Sequence, residues 1–258
     1  MKIEKKLYIH SKIKIPIYFS DSLEAIGYNY HLHFIILRQL GSYRLHYIMD
    51  EYRTHFYRAN LPHLQPLGGT FFVTYNLSGC IPIEVIELWN EEYKKTKKEI
   101  KSKENAKWNE LDNLNKRNFV KRDKFLDTLK TGNFYLKQDA VAKEAAQSWH
   151  FWDTKKIDLL AYCIMPNHVH VVFRLFDNEE IKQDVYLNQI MHSVKGFSAK
   201  KCNQVLGLSG EFWQHESYDR LVRNDTELKN IIHYILENPV KANLCKDQKD
   251  WKWSYQKP

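Results

Sequence analysis

Apolar positions along this chain follow two different periods, which predict a mixture of strands and helices. Short runs rich in β-branched and aromatic residues, such as Phe71–Val73 and Val171–Phe173, favour strands. Leu228, Ile231 and Ile235 instead recur at the three-to-four spacing of one helix face. The pattern predicts strands near 70–77, 157–165, 168–175 and 213–223, and helical segments from 82 to about 149, near 183–204 and at about 225–238.

The order of these elements, β, α, β, β, α, β, α, predicts an α+β fold. It matches a ferredoxin-like antiparallel sheet with helices packed on one face. In such a plan the strand 168–175 lies inside the sheet and the last helix can lie across it. A chain of 258 residues is long enough to fill one core of this kind.

The last predicted helix carries two polar side chains on its apolar face. Asn224 followed by Glu227 resembles a capping arrangement, and Pro239 is expected to stop the helix. Tyr234 and Asn238 then lie one turn apart on the side that faces the core. A core tyrosine and a terminal asparagine would explain each residue alone. A hydroxyl and an amide facing the core nevertheless need polar partners, which a metal-bound phosphate would supply.

The strand 168–175 begins with two histidines, His168 and His170, that share one face because side chains alternate along a strand. Pro166-Asn167 just before them is a turn signal. The geometry favours a pair of imidazoles aimed at a single ion. An isolated His-x-His is more often two histidines on a half-exposed strand, so the pair gains its weight from the tyrosine helix that follows.

Several separated motifs occur together in a recognisable order. They are Leu61–Pro66, Thr70–Thr74, Met165–His170, Phe212–Gln214, Tyr218–Arg220 with Arg223, and Tyr234–Ile235 with Asn238–Ala242. In this order they resemble the REP-associated tyrosine transposases, relatives of the small insertion-sequence transposases that cut single-stranded DNA with an HUH motif and one tyrosine. The resemblance covers roughly residues 53–245.

The resemblance implies a role for each residue of the two motifs. His168 and His170 would be the metal ligands of the HUH motif, Tyr234 the nucleophile, and Asn238 a third, helix-borne ligand. Tyr218 is a competing tyrosine, but its place beside Asp219-Arg220 matches a position that is not the nucleophile in the family.

The chemistry of such a site follows from the residue types. Tyrosine has an ordinary pKa near 10 and is a weak nucleophile, so attack on phosphorus needs a base or a metal ion. Two imidazoles and an amide oxygen with open positions suit Mg²⁺ or Mn²⁺, with Zn²⁺ as an alternative. The resemblance implies a 5'-phosphotyrosine intermediate and a free 3'-OH. Rejoining would then need no nucleotide cofactor.

The charge of the chain agrees with a nucleic-acid partner, expected to be single-stranded or hairpin DNA. The formal net charge is +8, and residues 94–130 hold 13 Lys or Arg against 6 Asp or Glu. This segment is predicted to be an exposed helix or helical hairpin that binds phosphates, with a merely solvated charged face as the alternative. The predicted DNA-binding residues outside it are Lys195, Gln214, Arg220 and Arg223. A surface ion pair with Asp219 or Asp225 is the alternative for each arginine.

Other functional classes remain open from the sequence. A non-catalytic single-strand binder would stack bases on Phe71, Phe72 and Tyr75 of an RRM-like sheet. A transposase that has lost its activity and is kept as a DNA-binding protein is a further alternative. A metal-dependent hydrolase would use the histidine pair to activate water and would leave no covalent protein-DNA adduct.

The predicted organisation is an N-terminal extension at 1–48 and a transposase-like domain at 49–258 with a basic helical insertion at about 84–150. A second His-x-His at His31 and His33 lies in the extension and is expected to be structural. The four scattered cysteines indicate neither a disulfide scaffold nor a zinc ribbon, and no 18-residue apolar run is present. A bacterial cytoplasmic, nucleoid-associated protein is expected, either a monomer or a homodimer.

Overall fold

The structure is a computed structural model that describes residues 5–9, 13–17, 54–58, 62–103 and 108–258, with side chains described for 66–103, 110–177 and 179–258. The chain divides into two compact units, Met1–Thr54 and His55–Pro258. His31 and His33 lie outside the described residues.

The strands are β1 (Lys5–Ile9), β2 (Ile13–Ile17), β3 (Thr54–Arg58), β4 (Pro62–Pro66), β5 (Thr70–Asn76), β6 (Ile157–Ile164), β7 (His168–Leu175), β8 (Tyr218–Leu221) and β9 (Ser254–Gln256). The helices are α1 (Ile83–Ser102), α2 (Trp108–Thr128), α3 (Asp139–His150), α4 (Asn178–Ile181), α5 (Leu187–Leu206) and α6 (Asp225–Lys241).

Five strands of the second unit form one antiparallel sheet in the order β8-β5-β7-β6-β9. The succession β5, helices, β6, β7, helices, β8 is the β-α-β-β-α-β plan of a ferredoxin-like fold. The predicted α+β class with an antiparallel sheet is therefore confirmed. β7 is the central strand, with β5 and β6 on either side, so the two histidines at its start are held by neighbours on both edges.

Helices cover both faces of the sheet, whereas the sequence pattern predicted them on one. Val169, Val171 and Phe173 of β7 join the larger core, to which α3 and α5 contribute. Val172 faces the opposite way and packs in a smaller cluster with Ile235 of α6. Seven of the eight β7 residues are buried, which is the pattern of a strand covered on both faces.

A β-bulge in β6 helps to build the smaller cluster. The register between β6 and β7 shifts between Leu159 and Ala161, so the alternation of faces changes at this point. Leu159 therefore packs in the larger core, whereas Ala161 and Cys163 pack under α6. Cys163 is paired in register with His170, which places the histidine beside this apolar cluster.

The helix α6 begins where the sequence predicts and ends three residues later than expected. The side chain of Asn224 accepts a hydrogen bond from the Glu227 amide at 2.9 Å, which caps the first turn. Pro239 lies inside the helix and does not stop it. Pro239 has no backbone amide to donate, but the backbone amide of Ala242 still bonds to the Asn238 carbonyl at 3.0 Å, so the helix continues past it.

The basic segment forms the two long helices α1 and α2. They contact each other through the edge-to-face rings of Trp89 and Phe125, 5.1 Å apart, and through a hydrogen bond from Tyr93 to Asn115. Leu126, near the end of α2, is buried in the larger core. No helix among the described residues is long and apolar enough to span a membrane.

Candidate active site

The two histidines at the start of β7 point to the same place. Both side chains are fully buried, and their Nε2 atoms lie 2.9 Å apart. β7 sets this arrangement, because its residues 168 and 170 share the face that α6 covers. The structure thus brings together the pair that the sequence predicted as metal ligands.

Asn167 fixes the orientation and the tautomer of His168. Its Nδ2 donates to the backbone carbonyl of Leu126 at 3.0 Å, so its Oδ1 must face the other way. That oxygen lies 2.7 Å from Nδ1 of His168. Because an amide oxygen only accepts, Nδ1 carries the proton and Nε2 of the neutral imidazole presents a lone pair.

Thr74 on β5 has the matching position beside His170. Its Oγ1 lies 2.7 Å from Nδ1 of His170, and the two residues are paired in register across the sheet. A hydroxyl both donates and accepts, so this contact alone does not choose the tautomer. A cation at Nε2 would select the form with the proton on Nδ1.

The helix α6 brings Tyr234 and Asn238 to the histidines, as the i, i+4 spacing predicts. The Tyr234 ring lies 5.5 Å from the His170 ring, centroid to centroid. Asn238 is buried, with Nδ2 3.1 Å from Nε2 of His170 and Oδ1 without a hydrogen-bond partner. The two ends of an amide are exchangeable by a 180° flip, which would turn the unpartnered oxygen toward the histidine.

Two acidic residues of α2, which were not predicted from the sequence, complete the site. Oδ1 of Asp123 lies 3.2 Å from Nε2 of His170, and the Tyr234 hydroxyl donates to Oδ2 of the same carboxylate. Oδ1 of Asp127 lies 3.9 Å from Nε2 of His168. Their spacing of four residues places both acids on one face of α2, a signal that the surrounding lysines obscured.

Burial and the closeness of these ionisable groups shift their pKa values. Burial and the neighbouring His170 lower the pKa of His168 to about 3. Burial alone would raise the pKa of Asp123, but the charge and hydrogen bonding of His170 lower it to about 2. Burial and the carboxylate of Asp123 raise the pKa of Asp127 to about 6. Burial and both carboxylates raise the pKa of Tyr234 above its ordinary value.

These residues fit a divalent metal ion. Asp123, His168 and His170 can each offer one ligand atom, and these atoms lie within 4.8 Å of one another. The Oδ1 atoms of Asp123 and Asn238 are buried without a hydrogen-bond partner. Two ligands at right angles with bonds of about 2.1 Å would be about 3 Å apart, which is the separation of the two histidine nitrogens. Imidazole, carboxylate and amide donors suit Mg²⁺, Mn²⁺ or Zn²⁺.

Arg220 and Arg223 lie on the same side of the sheet as the site but are engaged by acidic residues. Arg220 bonds to Glu227 at 2.8 Å and lies 3.6 Å from Asp112 of α2. Arg223 contacts both oxygens of Asp112, at 3.0 and 3.4 Å. The ion-pair alternative is therefore present in this structure, with Asp112 and Glu227 as the acids.

Lys195 and Gln214 are not among the candidate metal ligands. Nζ of Lys195 donates to the backbone carbonyls of Gln214 and His215, at 2.7 and 2.9 Å. Burial lowers the pKa of Lys195 to about 8. In this structure the lysine tethers the loop before β8, and the role in DNA binding stays a prediction for both residues.

Comparisons with known proteins agree with the resemblance found in the sequence. Residues 128–238 match the family described as "Transposase IS200 like". A REP-associated tyrosine transposase of Haemophilus influenzae is 30% identical over 105 residues, which cover 38% of this chain and 57% of that protein. The chain thus spans little more than half the length of this curated relative. His168, His170, Tyr234 and Asn238 lie inside the matched family segment, whereas the acids of α2 precede it.

Two solved structures are also similar. One is a REP-associated tyrosine transposase bound to a REP hairpin, with a TM-score of 0.45 and 17% identity, covering 76% of this chain and 82% of the other. The second is a transposase from Deinococcus radiodurans, with a TM-score of 0.26 and 11% identity, covering 71% of this chain and 98% of the other.

Proposed function

We propose, on the basis of its similarity to the IS200-like and REP-associated tyrosine transposases, that this chain cleaves and rejoins single-stranded DNA through Tyr234. The observation that carries the proposal is the convergence of Tyr234, Asn238 and Asp123 on the histidine pair. Three separate elements, β7, α6 and α2, supply these side chains. A core tyrosine would need none of the other groups around it.

The proposed reaction begins with the Tyr234 hydroxyl. Its oxygen attacks the scissile phosphorus, the bond from phosphorus to the 3' oxygen breaks, and the strand leaves with a free 3'-OH. Asp123 already accepts the hydrogen bond of the phenol and is placed to receive its proton. The 5'-phosphotyrosine keeps the energy of the phosphodiester, so attack by a 3'-OH reverses the step.

A divalent ion held by His168, His170 and Asp123, with Asn238 after an amide flip, would polarise a non-bridging phosphate oxygen. Mg²⁺ and Mn²⁺ are the proposed ions. Asn167 and Thr74 hold the two imidazoles at their far nitrogens, so that both Nε2 atoms face the same point. The high pKa of Tyr234 keeps the phenol protonated at neutral pH until such an ion or a substrate alters its surroundings.

The proposed substrate is single-stranded DNA next to a hairpin. The preference for a hairpin is proposed from the family resemblance alone. Binding to a nucleic acid is proposed from the resemblance and also from the charge of the chain. Lys94–Lys98, Arg117 and Lys124 belong to a helical pair whose outer face is exposed and basic. Such a face would bind phosphates without reading sequence. A cytoplasmic, nucleoid-associated location follows from this proposal.

The RRM-like alternative is not supported by the placement of its aromatic residues. Phe71, Phe72 and Tyr75 are all buried in the two apolar clusters, so they cannot stack on unpaired bases. A binding protein derived from a transposase would have to use other surfaces. The metal-dependent hydrolase is the second candidate, because the histidine pair and Asp123 could also activate a water molecule.

A covalent adduct distinguishes these functions. The full chain would be incubated with an end-labelled hairpin oligonucleotide carrying single-stranded flanks, in Mn²⁺ or Mg²⁺, and analysed under denaturing conditions. The proposal expects a labelled protein band that depends on the metal and disappears in chelator. Cleavage without an adduct would favour the hydrolase. Binding with neither cleavage nor adduct would favour the non-catalytic protein.

A further inference from the structure

The face of α2 that covers the sheet carries an acid and an aromatic ring in positions suited to a nucleotide. Asp112 and Phe119 lie seven residues apart, and Asp123 follows after four more, so the three share one side of the helix. Asp112 and Phe119 both precede the segment 128–238 that matches the transposase family. They therefore belong to the part of the chain for which the family match assigns nothing.

Asp112 occupies a strongly cationic position. Its carboxylate contacts Arg223 at 3.0 Å, Lys116 at 3.1 Å and Arg220 at 3.6 Å. Glu227 holds Arg220 in place and also accepts the backbone amide of Arg223. Arginine pairs that contact one anion with a fork of donors are the usual arrangement for binding phosphate as well as carboxylate.

Phe119 occupies an aromatic position next to it. Its ring stacks on Tyr218 with centroids 4.4 Å apart and an angle of 26° between the planes. It also contacts Phe72 edge-on at 5.5 Å and lies 6.1 Å from the ring of Tyr234. Parallel stacking on an aromatic side chain is how proteins hold unpaired bases.

The sheet aligns these two positions with the candidate active site. Thr74 of β5 is paired in register with His170 of β7 on one side and with Tyr218 of β8 on the other. Phe72, two residues before Thr74 on β5, is paired with Arg220 of β8. A strand of DNA whose phosphate lies at the histidines would therefore have its neighbouring nucleotide close to Tyr218 and Arg220.

We propose that Tyr218, Arg220 and Arg223 form a subsite for one nucleotide of the substrate strand, and that α2 fills it with Asp112 in place of phosphate and Phe119 in place of the base. DNA then has to displace Asp112 and Phe119 to bind, while Asp123, one turn further along α2, keeps its place beside His170. The inference rests on the proposed function, because it concerns the same strand. It adds a subsite that binds one nucleotide, and it identifies Asp112 and Phe119 of α2 as side chains that compete with DNA for this subsite.

Removing the internal carboxylate tests the inference. Binding of the full chain to a fluorescent single-stranded oligonucleotide would be measured in chelator, so that no cleavage occurs. Asp112→Asn is expected to bind about fivefold more tightly, which is the effect of losing one partly buried ion pair. Glu92→Gln is the matched control, because it removes the same charge from Glu92 of α1, which forms an exposed ion pair with Lys121 of α2. It should change the affinity by less than about twofold. Adding Arg223→Ala to Asp112→Asn should abolish the gain.

Hydrogen exchange supplies a second readout that does not depend on a variant. The oligonucleotide should speed amide exchange over residues 112–119, because this part of α2, and not the turn that carries Asp123, is displaced. Unchanged or slower exchange there, unchanged affinity in Asp112→Asn, or an equal gain in Glu92→Gln would each overturn the inference. The Tyr234 adduct is assayed separately, on the same protein preparations in Mn²⁺ without chelator: an adduct without the affinity gain refutes only the subsite, and a gain without an adduct refutes only the proposed chemistry.

Discussion

Asp127 is expected to destabilise the metal-free protein at neutral pH, so that Asp127→Asn should stabilise it. The carboxyl is partly buried beside Asp123, and its Oδ1 has no hydrogen-bond partner. Its pKa rises from 3.8 to about 6 in the folded state. A carboxyl with a raised folded pKa contributes its full stability below the unfolded pKa and loses it as the pH rises through the folded one.

The size of the effect follows from that rise. Moving from 3.8 to about 6 corresponds to about 3 kcal/mol of unfavourable interaction for the ionised form. Because Asp127 is not fully buried and its surroundings can relax, about 1–2 kcal/mol should be measured. The gain from Asp127→Asn should therefore be near zero below about pH 4, grow between about pH 4 and 6, and be complete above about pH 7.

Urea unfolding of both proteins in chelator, across this pH range, measures the difference. Adding saturating Mn²⁺ at neutral pH should reduce the gain, because a cation at the histidines offsets the repulsion between the two carboxylates. Asp112→Asn is the control of opposite sign. Burial by itself raises the pKa of Asp112, but Arg223, Lys116 and Arg220 lower it, so this variant should lose stability at neutral pH. A destabilised Asp127→Asn, or a gain that does not depend on pH, would refute the reasoning.

Three further predictions concern the metal ion and the DNA. Asn167→Ala should weaken Mn²⁺ binding by about 10–100-fold, since His168 loses the partner that orients it, and calorimetry with an unchanged affinity would contradict this. His170→Ala should abolish cleavage while leaving oligonucleotide binding largely in place, which gel-shift and cleavage assays on one preparation can separate. Replacing the lysines between Lys94 and Lys124 by glutamine should weaken binding to all sequences alike and reduce its salt dependence; a changed sequence preference would show that the segment reads bases.

The elements that sequence predicted best are those in which local signals and burial agree. The strand at 168–175 was predicted with its observed bounds, since a turn signal precedes it and β-branched residues fill it. The start of α6 was marked by Asn224 and Glu227. Pro239 misled the prediction of its end, because the helix continues for two residues beyond the proline.

The acids of the candidate site could not be assigned from sequence, because their meaning depends on packing. Asp112, Asp123 and Asp127 lie in a segment whose dominant feature is an excess of positive charge. Only the docking of α2 on the sheet shows that the lysines face outward while these carboxylates face the histidines and arginines. Helical spacing placed the acids on one side of a helix, but nothing local indicated which side faces the sheet.

The burial of the second face of the sheet could not be predicted from the sequence either, because it depends on how the helices pack. The near-continuous burial of β7 follows from α6 lying opposite α3 and α5. Continuous apolar runs such as Val171–Phe173 are compatible with a strand buried on both faces, and this was the available signal. The alternation expected of a one-sided sheet is absent there.

The most direct test of the central claim is the covalent adduct in Tyr234→Phe, with Tyr218→Phe as its matched control. The first substitution removes one oxygen and keeps the ring, so stability should change by about 1 kcal/mol. We expect cleavage and the adduct to vanish together in Tyr234→Phe and to persist in Tyr218→Phe, whose ring still stacks on Phe119. An adduct that persists in Tyr234→Phe and disappears in Tyr218→Phe would contradict the account.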